Sequence, residues 1–218
     1  MRVSLQNTNM DEVFKWKDTR NLLLMLIKAP YQRFTVTELI DRLNIKSRDS
    51  LTKLVDTLEK AKMIKTTRIG RKKLISINRD LIEKPEDATL LIPQDEYRIV
   101  VKEYVQELKS KTKKDNLHAV ILFGSVAIGV ADRASDIDIF IVSDKSLKTE
   151  RAALNIAKKY LGKEPGRERY SIKPMAESIN TLSKIIKNKP GQMAEIFKQG
   201  ITLYSDKKFE NFMEGVRI

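Results

Sequence analysis

Two short stretches hold the residues best equipped for chemistry. Gly124-Ser125 and Asp136-Ile137-Asp138 are separated by ten residues, Val126–Ser135. Leu117–Phe123 is a short apolar run, partly β-branched, and predicts a buried strand that delivers Gly124-Ser125 at its end. Ile139-Phe140-Ile141-Val142 predicts a second buried strand leaving Asp138. Side chains alternate along a strand, so Asp136 and Asp138 share one face while Ile137, Ile139 and Ile141 take the other. Two carboxylates on one face at the mouth of an apolar strand repel each other and lose hydration. A divalent cation relieves both penalties. Oxygen-only ligands favour Mg²⁺ or Mn²⁺ over zinc. Gly124 allows a phosphate near the backbone, and Ser125 offers a hydroxyl at the opening of a short helix. A phosphate cradle beside a carboxylate pair is the equipment for metal-assisted phosphoryl or nucleotidyl transfer.

With its two flanking strands, the pattern Phe123-Gly124-Ser125, ten residues, Asp136-Ile137-Asp138-Ile139 resembles the signature of the polymerase-β-type nucleotidyltransferase superfamily. It is similar above all to the minimal nucleotidyltransferase group of archaea and bacteria, which shares the Ser-Asp-Ile-Asp run seen at Ser135–Asp138. The ending Gln199-Gly200-Ile201-Thr202-Leu203-Tyr204 is also like that group's. The resemblance spans about Gln94–Asp206. It implies a small mixed-sheet domain with flanking helices, in which Asp136 and Asp138 hold Mg²⁺ (or Mn²⁺) against the triphosphate of an NTP, ATP being the expected one. It implies that Gly124 and Ser125 hold the β- and γ-phosphates, and that a third carboxylate on a later strand activates an acceptor hydroxyl. Two positions depart from the pattern. The later strand is expected near Arg169–Met175, after a helix near Leu147–Leu161, and contains no acid; Glu168 precedes it and Glu177 follows it. Many minimal members carry Arg four residues after the Gly, where this chain has Ile128, although Arg133 stands nearby in the spacer. Related small families include antitoxins that adenylylate a toxin, so a protein acceptor is among the expectations.

The elements before this region follow a different logic. Asp18–Lys28 has the apolar periodicity of a helix and is stopped by Pro30. Thr35 or Thr37 offers a helix cap close to Glu38, and Val36, Leu39, Ile40 and Leu43 form a short amphipathic helix. After a turn at Asn44-Ile45-Lys46, Ser47 caps a third helix, about Arg48–Ala61, with Leu51, Leu54, Val55 and Leu58 on one stripe. The period then changes to two over Ile64–Arg68 and Leu74–Asn78, on either side of a turn at Ile69-Gly70-Arg71-Lys72, which predicts a hairpin. Three helices followed by a basic hairpin resemble a winged helix-turn-helix domain over about Asp18–Asp80. That resemblance implies DNA as a partner: a third helix enters the major groove, and a basic tip neutralises phosphates. Arg48 and Lys53 are the expected groove contacts. Arg68, Arg71, Lys72 and Lys73 are the expected phosphate contacts. Docking of another protein is the rival use, and a homodimer is compatible with such a domain.

Composition sets the outer bounds. The chain has 218 residues, with 42 Lys+Arg against 29 Asp+Glu, a net charge of +13 that favours polyanionic partners. Divided after Ile92, the two parts carry +7 (19 basic, 12 acidic) and +6 (23 basic, 17 acidic). From Lys60 to Arg79 eight basic residues occur with no acid. There is no cysteine and one histidine, which excludes disulfides, thiolate zinc sites, thiol nucleophiles and multi-histidine metal centres. No stretch approaches the ~18 apolar residues of a spanning helix. Met1–Met10 lacks the layout of a secretory signal. The expectation is a cytoplasmic archaeal or bacterial protein with no membrane partner. Glu83–Pro93, with two prolines and an acidic cluster, predicts the seam between a domain over 1–92 and one over 93–218. Gln94–Lys113 predicts a helix whose inner side holds Ile99, Val100, Val101, Tyr104, Val105 and Leu108. His118 and Trp16 are expected to be structural, and Lys184, Lys187 and Lys189 to form a solvated face. Few aromatics are placed for base stacking, which disfavours an RNA-modifying role.

Overall fold

The computed structural model describes residues 17–82, 85–112, 116–161, 170–188 and 190–216. The chain divides into two compact units, one ending at Pro85 and the other beginning at Glu86, so the division falls inside the Glu83–Pro93 segment.

In the first unit, α1 (Lys17–Lys28) is followed by a two-residue strand β1 (Phe34–Thr35) and α2 (Val36–Leu43). Thr35, not Thr37, caps α2. Its hydroxyl accepts from the Glu38 N–H at 3.2 Å, and Glu38 Oε2 accepts from the Thr35 N–H at 2.7 Å, a reciprocal capping box. Asn44 ends α2 in the left-handed conformation. Ser47 caps α3 (Arg48–Lys60) by accepting from Ser50 N–H, and Leu51, Leu54, Val55 and Leu58 are all buried. Hairpin strands β2 (Ile64–Ile69) and β3 (Lys72–Ile77) turn through Gly70-Arg71, with Ile69 opposite Lys72. β1 pairs with the far edge of β3, giving an antiparallel order β1-β3-β2. One core holds the unit together, built from Leu22, Leu26, Phe34, Leu39, Leu51, Leu58 and Ile75.

The second unit opens with a 3₁₀ turn at Ala88–Leu91 and then α4 (Glu96–Thr112). Tyr97, Val100, Val101, Tyr104, Val105 and Leu108 of α4 are buried, but Ile99 is 70% exposed, against the expectation of an inner position. Ile99 lies two residues from both Tyr97 and Val101, about 200° around the helix from each, so it faces solvent. Strand β4 (Leu117–Phe123) runs into α5 (Gly124–Ile128), and β5 (Ile137–Ser143) into α6 (Ser146–Ala157) with a 3₁₀ turn at Lys158–Leu161. β6 (Ile172–Glu177), α7 (Ile179–Asn188), α8 (Pro190–Gln199), β7 (Ile201–Ser205) and α9 (Lys207–Gly215) complete it. The sheet order is β6-β5-β4-β7. β5 and β6 are parallel, joined by the α6 crossover, and the other pairs are antiparallel. The fold is therefore mixed α/β. One face of the sheet, with Val120, Leu122, Ile137, Ile139 and Ile141, packs against Val101, Tyr104 and Leu108 of α4 and Ala153 and Ile156 of α6. On the other, Phe140 meets Phe197 of α8 edge-on at 6.1 Å, and Phe197 continues to Phe209 of α9. Gly200 sits where a Cβ would run into Ile196 and Leu122 backbone oxygens, so α8 turns tightly into β7 there. Among the described residues no helix is long and apolar enough to cross a membrane.

His118, at the start of β4, is 3% exposed and ties three elements together. Its Nδ1 lies 2.7 Å from Asp206 Oδ2 and its Nε2 2.9 Å from Asp144 Oδ1. Asp206 also caps α9 by accepting from Phe209 N–H, and its own N–H donates to the His118 carbonyl. Lys208 and Asn116 donate to Asp144 at 3.0 and 3.1 Å. His118 first, then Lys208, hold the Asp144 carboxyl down at about 2. A depressed folded-state pKa stabilises the fold above the ordinary aspartate range, and the contribution is lost as pH falls towards the folded value. Asp144→Asn should therefore lower the urea midpoint at neutral pH. That difference should shrink between about pH 4 and pH 2; parallel urea titrations of both proteins across that range check it.

Candidate active site

The pairing of β4 with β5 sets the geometry of the site. Phe123 is opposite Asp138 in the antiparallel register, so the chain leaves β4 beside the Asp138 carboxylate. It does so at Gly124, whose φ of +71° belongs to the left-handed region. A Cβ at Gly124 would lie 2.5 Å from Asp138 Oδ2, so carboxylate and backbone meet where no side chain fits. Ser125 follows in α5 and is half-buried; its carbonyl accepts from Gly129 and Val130 N–H, closing that five-residue helix.

Asp136 stands one residue before β5 and Asp138 is the second residue of it, with Ile137 between them fully buried on the opposite face. Burial pushes the Asp138 carboxyl up, and Asp136 adds to the rise. Lys173 pulls against both. The structure thus places Gly124, Asp136 and Asp138 in one site, with Ser125 next in the chain.

The spacer between Ser125 and Asp136 is held by residues that the motif does not contain. The sequence places Gln94 at the start of a helix, but the helix begins at Glu96. The Gln94 side chain instead donates to the Ala131 carbonyl at 2.8 Å and accepts from Ala131 N–H at 3.2 Å. Tyr97 donates its hydroxyl to the Asp132 carbonyl at 2.9 Å. Asp132 turns the chain by accepting from Ala134 N–H and the Ser135 hydroxyl, each at 2.9 Å. The only sequence signal for these roles was the polar and aromatic character of Gln94 and Tyr97 at the entrance to α4. Ile128 is 48% exposed and Arg133 is exposed.

The later strand is β6, and it pairs with β5 in parallel register: Ile137 with Ile172, Asp138 with Lys173, Val142 with Glu177. Glu177 is the last residue of the strand rather than the residue after it. It lies four positions beyond Lys173, roughly 13 Å further along, where burial and Glu150 raise its carboxyl. Glu168 lies outside the described residues, as do Trp16 and Lys189. Among the described residues no cluster of three or more His, Asp or Glu could hold a metal ion. The Asp136/Asp138 pair alone still fits Mg²⁺. That ion commonly takes one or two carboxylates, the rest of its shell coming from water and phosphate oxygens. Burial and the neighbouring Asp136 charge both disfavour the ionised Asp138 carboxyl, and a cation would relieve both.

In the N-terminal unit, Arg48 and Lys53 of α3 are exposed, as are Arg68, Arg71 and Lys72 of the hairpin. Lys73 is different. It pairs across the hairpin with Arg68, and its ammonium lies 3.0 Å from Asp56 and 3.4 Å from Glu59 of α3. It braces the hairpin against the helix rather than extending the exposed tip.

Residues 101–189 match the family model of the nucleotidyltransferase domain. That span holds Gly124, Ser125, Asp136 and Asp138. Two solved structures are similar at 18% identity and a TM-score of 0.33. One is a candidate nucleotidyltransferase from Sulfolobus solfataricus, with 58% of this chain and 95% of that one covered. The other is a toxin–antitoxin structure with AMP-PNP, with 52% of this chain and 80% of that one covered. No curated protein matches the chain.

Two variants probe this geometry. Gly124→Ala should destabilise the protein by about 1–3 kcal/mol, because it adds left-handed strain to a clash with Asp138; thermal unfolding measures it. Asp136→Asn removes a neighbouring negative charge, so the Asp138 carboxyl should titrate at lower pH than in the wild type, read by NMR of its side-chain carbonyl.

Proposed function

We propose that the protein binds a nucleoside triphosphate at Gly124, Ser125, Asp136 and Asp138. We further propose that it transfers the nucleoside monophosphate to a hydroxyl acceptor, with release of pyrophosphate. The observation that carries this reading is the close approach of the Gly124 backbone to the Asp138 carboxylate, with Asp136 on the same face. A backbone without a side chain lets the half-buried Asp138 carboxylate stand directly against the turn that leads into α5, which supports a phosphate-binding role for that turn. Mg²⁺ or Mn²⁺ held by Asp136 and Asp138 would supply charge neutralisation for the phosphate chain. The chain's own contribution is positional. The β4–β5 register sets the carboxylates beside the cradle, and Gln94 and Tyr97 hold the spacer that separates them. The acceptor is a hydroxyl of a nucleic acid, a protein or a small molecule.

The N-terminal unit has the element order of a winged helix, and its proposed role is targeting to DNA. Arg48 and Lys53 would face base edges, and Arg68, Arg71 and Lys72 the backbone phosphates. One specific observation favours a second reading, a DNA-binding regulator whose C-terminal unit binds nucleotide without turning it over. Lys173, not an acid, is paired with Asp138, and the described residues supply no third carboxylate. Pyrophosphate release separates the two readings.

Calorimetric binding of ATP should require Mg²⁺ and should be lost in the Asp136→Asn plus Asp138→Asn double variant. Absence of binding by ATP and by the other three nucleotides would sink the nucleotide reading. For the N-terminal unit, affinity for duplex DNA by fluorescence anisotropy should fall steeply with salt. The log–log slope should drop by about two in Arg71→Ala plus Lys72→Ala, since each phosphate contact contributes ~0.9; a slope near zero in the wild type would end that assignment.

A further inference from the structure

Lys173 occupies a position that neither the carboxylate motif nor the basic hairpin accounts for. Strand β6 is the edge of the sheet, next to β5, with Lys173 directly opposite Asp138. Neighbouring strands lie about 4.8 Å apart, and side chains paired in register stand on the same face. Ser171, Lys173 and Met175 therefore share the face of Asp136 and Asp138, while Ile172, Pro174 and Ala176 turn inward and are buried. Lys173 is exposed, so its four-carbon stem is free to carry the ammonium over the mouth of the site. Met175, two residues on along the same face, and Ile128 of α5 are apolar and exposed, at 44% and 48%, and carry no charge to grip an anion, while Arg133 of the spacer is exposed.

We propose that Lys173 is the phosphate-gripping cation of this site, holding the β- and γ-phosphates of a nucleoside triphosphate beside the Asp136/Asp138 pair. The inference rests on the nucleotide reading above and deepens it. A third carboxylate at this register would collect negative charge enough for two divalent cations, the arrangement of two-metal sites. A lysine there does the opposite. It lowers the charge of the pair and supplies a fixed positive charge with three donors, which suits one divalent cation and a phosphate chain.

The rival role for Lys173 is to neutralise Asp138 in place of a metal, and the two roles predict effects of opposite sign. If Lys173 grips phosphate, Lys173→Ala should weaken Mg²⁺–ATP binding about ten- to hundredfold, the range of a charge-assisted hydrogen bond. Binding of AMP, which lacks the β- and γ-phosphates, should stay unchanged, and Lys173→Arg should recover most of the loss. If Lys173 only neutralises the pair, its removal should leave Mg²⁺–ATP binding unchanged or tighter. Calorimetry of the full chain with ATP and AMP, each with Mg²⁺, reads both. Thermal unfolding of Lys173→Ala serves as the folding control, and the exposed position predicts an unchanged midpoint. Weaker ATP and unaltered AMP binding support the proposal. Unchanged or tighter ATP binding in Lys173→Ala, or an equal loss for ATP and AMP, overturns it and leaves the nucleotide reading standing. Failure of the wild type to bind any of the four Mg²⁺–NTPs overturns the nucleotide reading, and this inference with it.

Discussion

The contact between the Gly124 backbone and the Asp138 carboxylate constrains the rest of the C-terminal unit. Both groups are polar, and a carboxylate taken from water into a sheet needs compensation. The fold supports the arrangement with apolar packing on both sides of the sheet. Ile137, Ile139 and Ile141 are locked against α4 and α6, and Phe140 is locked against α8. With neighbours on each face, β5 cannot slip by one residue without turning Asp138 inward and an isoleucine outward. The ten-residue spacer must then span from the end of β4 to the start of β5. Gln94 and Tyr97 hold its middle, so the spacing of the motif is also a matter of where α4 begins.

Strand β4 links two polar arrangements of different character. At its Phe123 end burial, with the Asp136 charge adding to it, pushes the Asp138 carboxyl up. At its Leu117 end His118 lies between Asp144 and Asp206, and Asp144 is held down. The second set is saturated with partners: Lys208, Asn116 and the cap of α9 all take part. Such a network fixes the positions of β4, the β5–α6 turn and the β7–α9 turn. The first set is tied less tightly: burial and Asp136 raise the Asp138 carboxyl, and Lys173 across the strand pair offsets that rise in part.

In the N-terminal unit, charge and packing are separated in a similar way. The stripe of α3 that reads Leu51, Leu54, Val55 and Leu58 goes to the core, leaving Arg48 and Lys53 in solvent. Within the basic run not every cation is available. Lys73 is committed to Asp56 and Glu59, and Lys65 to Asp80, while Arg68, Arg71 and Lys72 stay exposed. The positive surface of the hairpin is smaller than the composition of the run suggests, and it is concentrated at the turn.

Local features were legible in the sequence because their causes are local. A cap such as Ser47 and the capping box of Thr35 and Glu38 act within one turn. The stripe of α3 and the alternation of β2 and β3 follow from the period of their own element. The carboxylate pair was legible for the same reason, since Asp136 and Asp138 share a face by strand geometry alone. Ile99 departs from the expected inner position because the angle around α4, not apolar character, decides which side chains face the core. What the tertiary structure alone decided is non-local. The sequence does not state which residue of β6 stands against Asp138, because the α6 crossover and the segment after it separate the two strands. Parallel register placed Lys173 there and Glu177 out of reach. Equally, nothing local to Gln94 points to Ala131, 37 residues on, or to Lys73 a partner on α3. The sequence by itself determined the elements and the chemical types on their faces, because backbone periodicity and capping are short-range. Only the packed sheet decided which of those faces meet, because register and crossover depend on burying all the apolar faces at once.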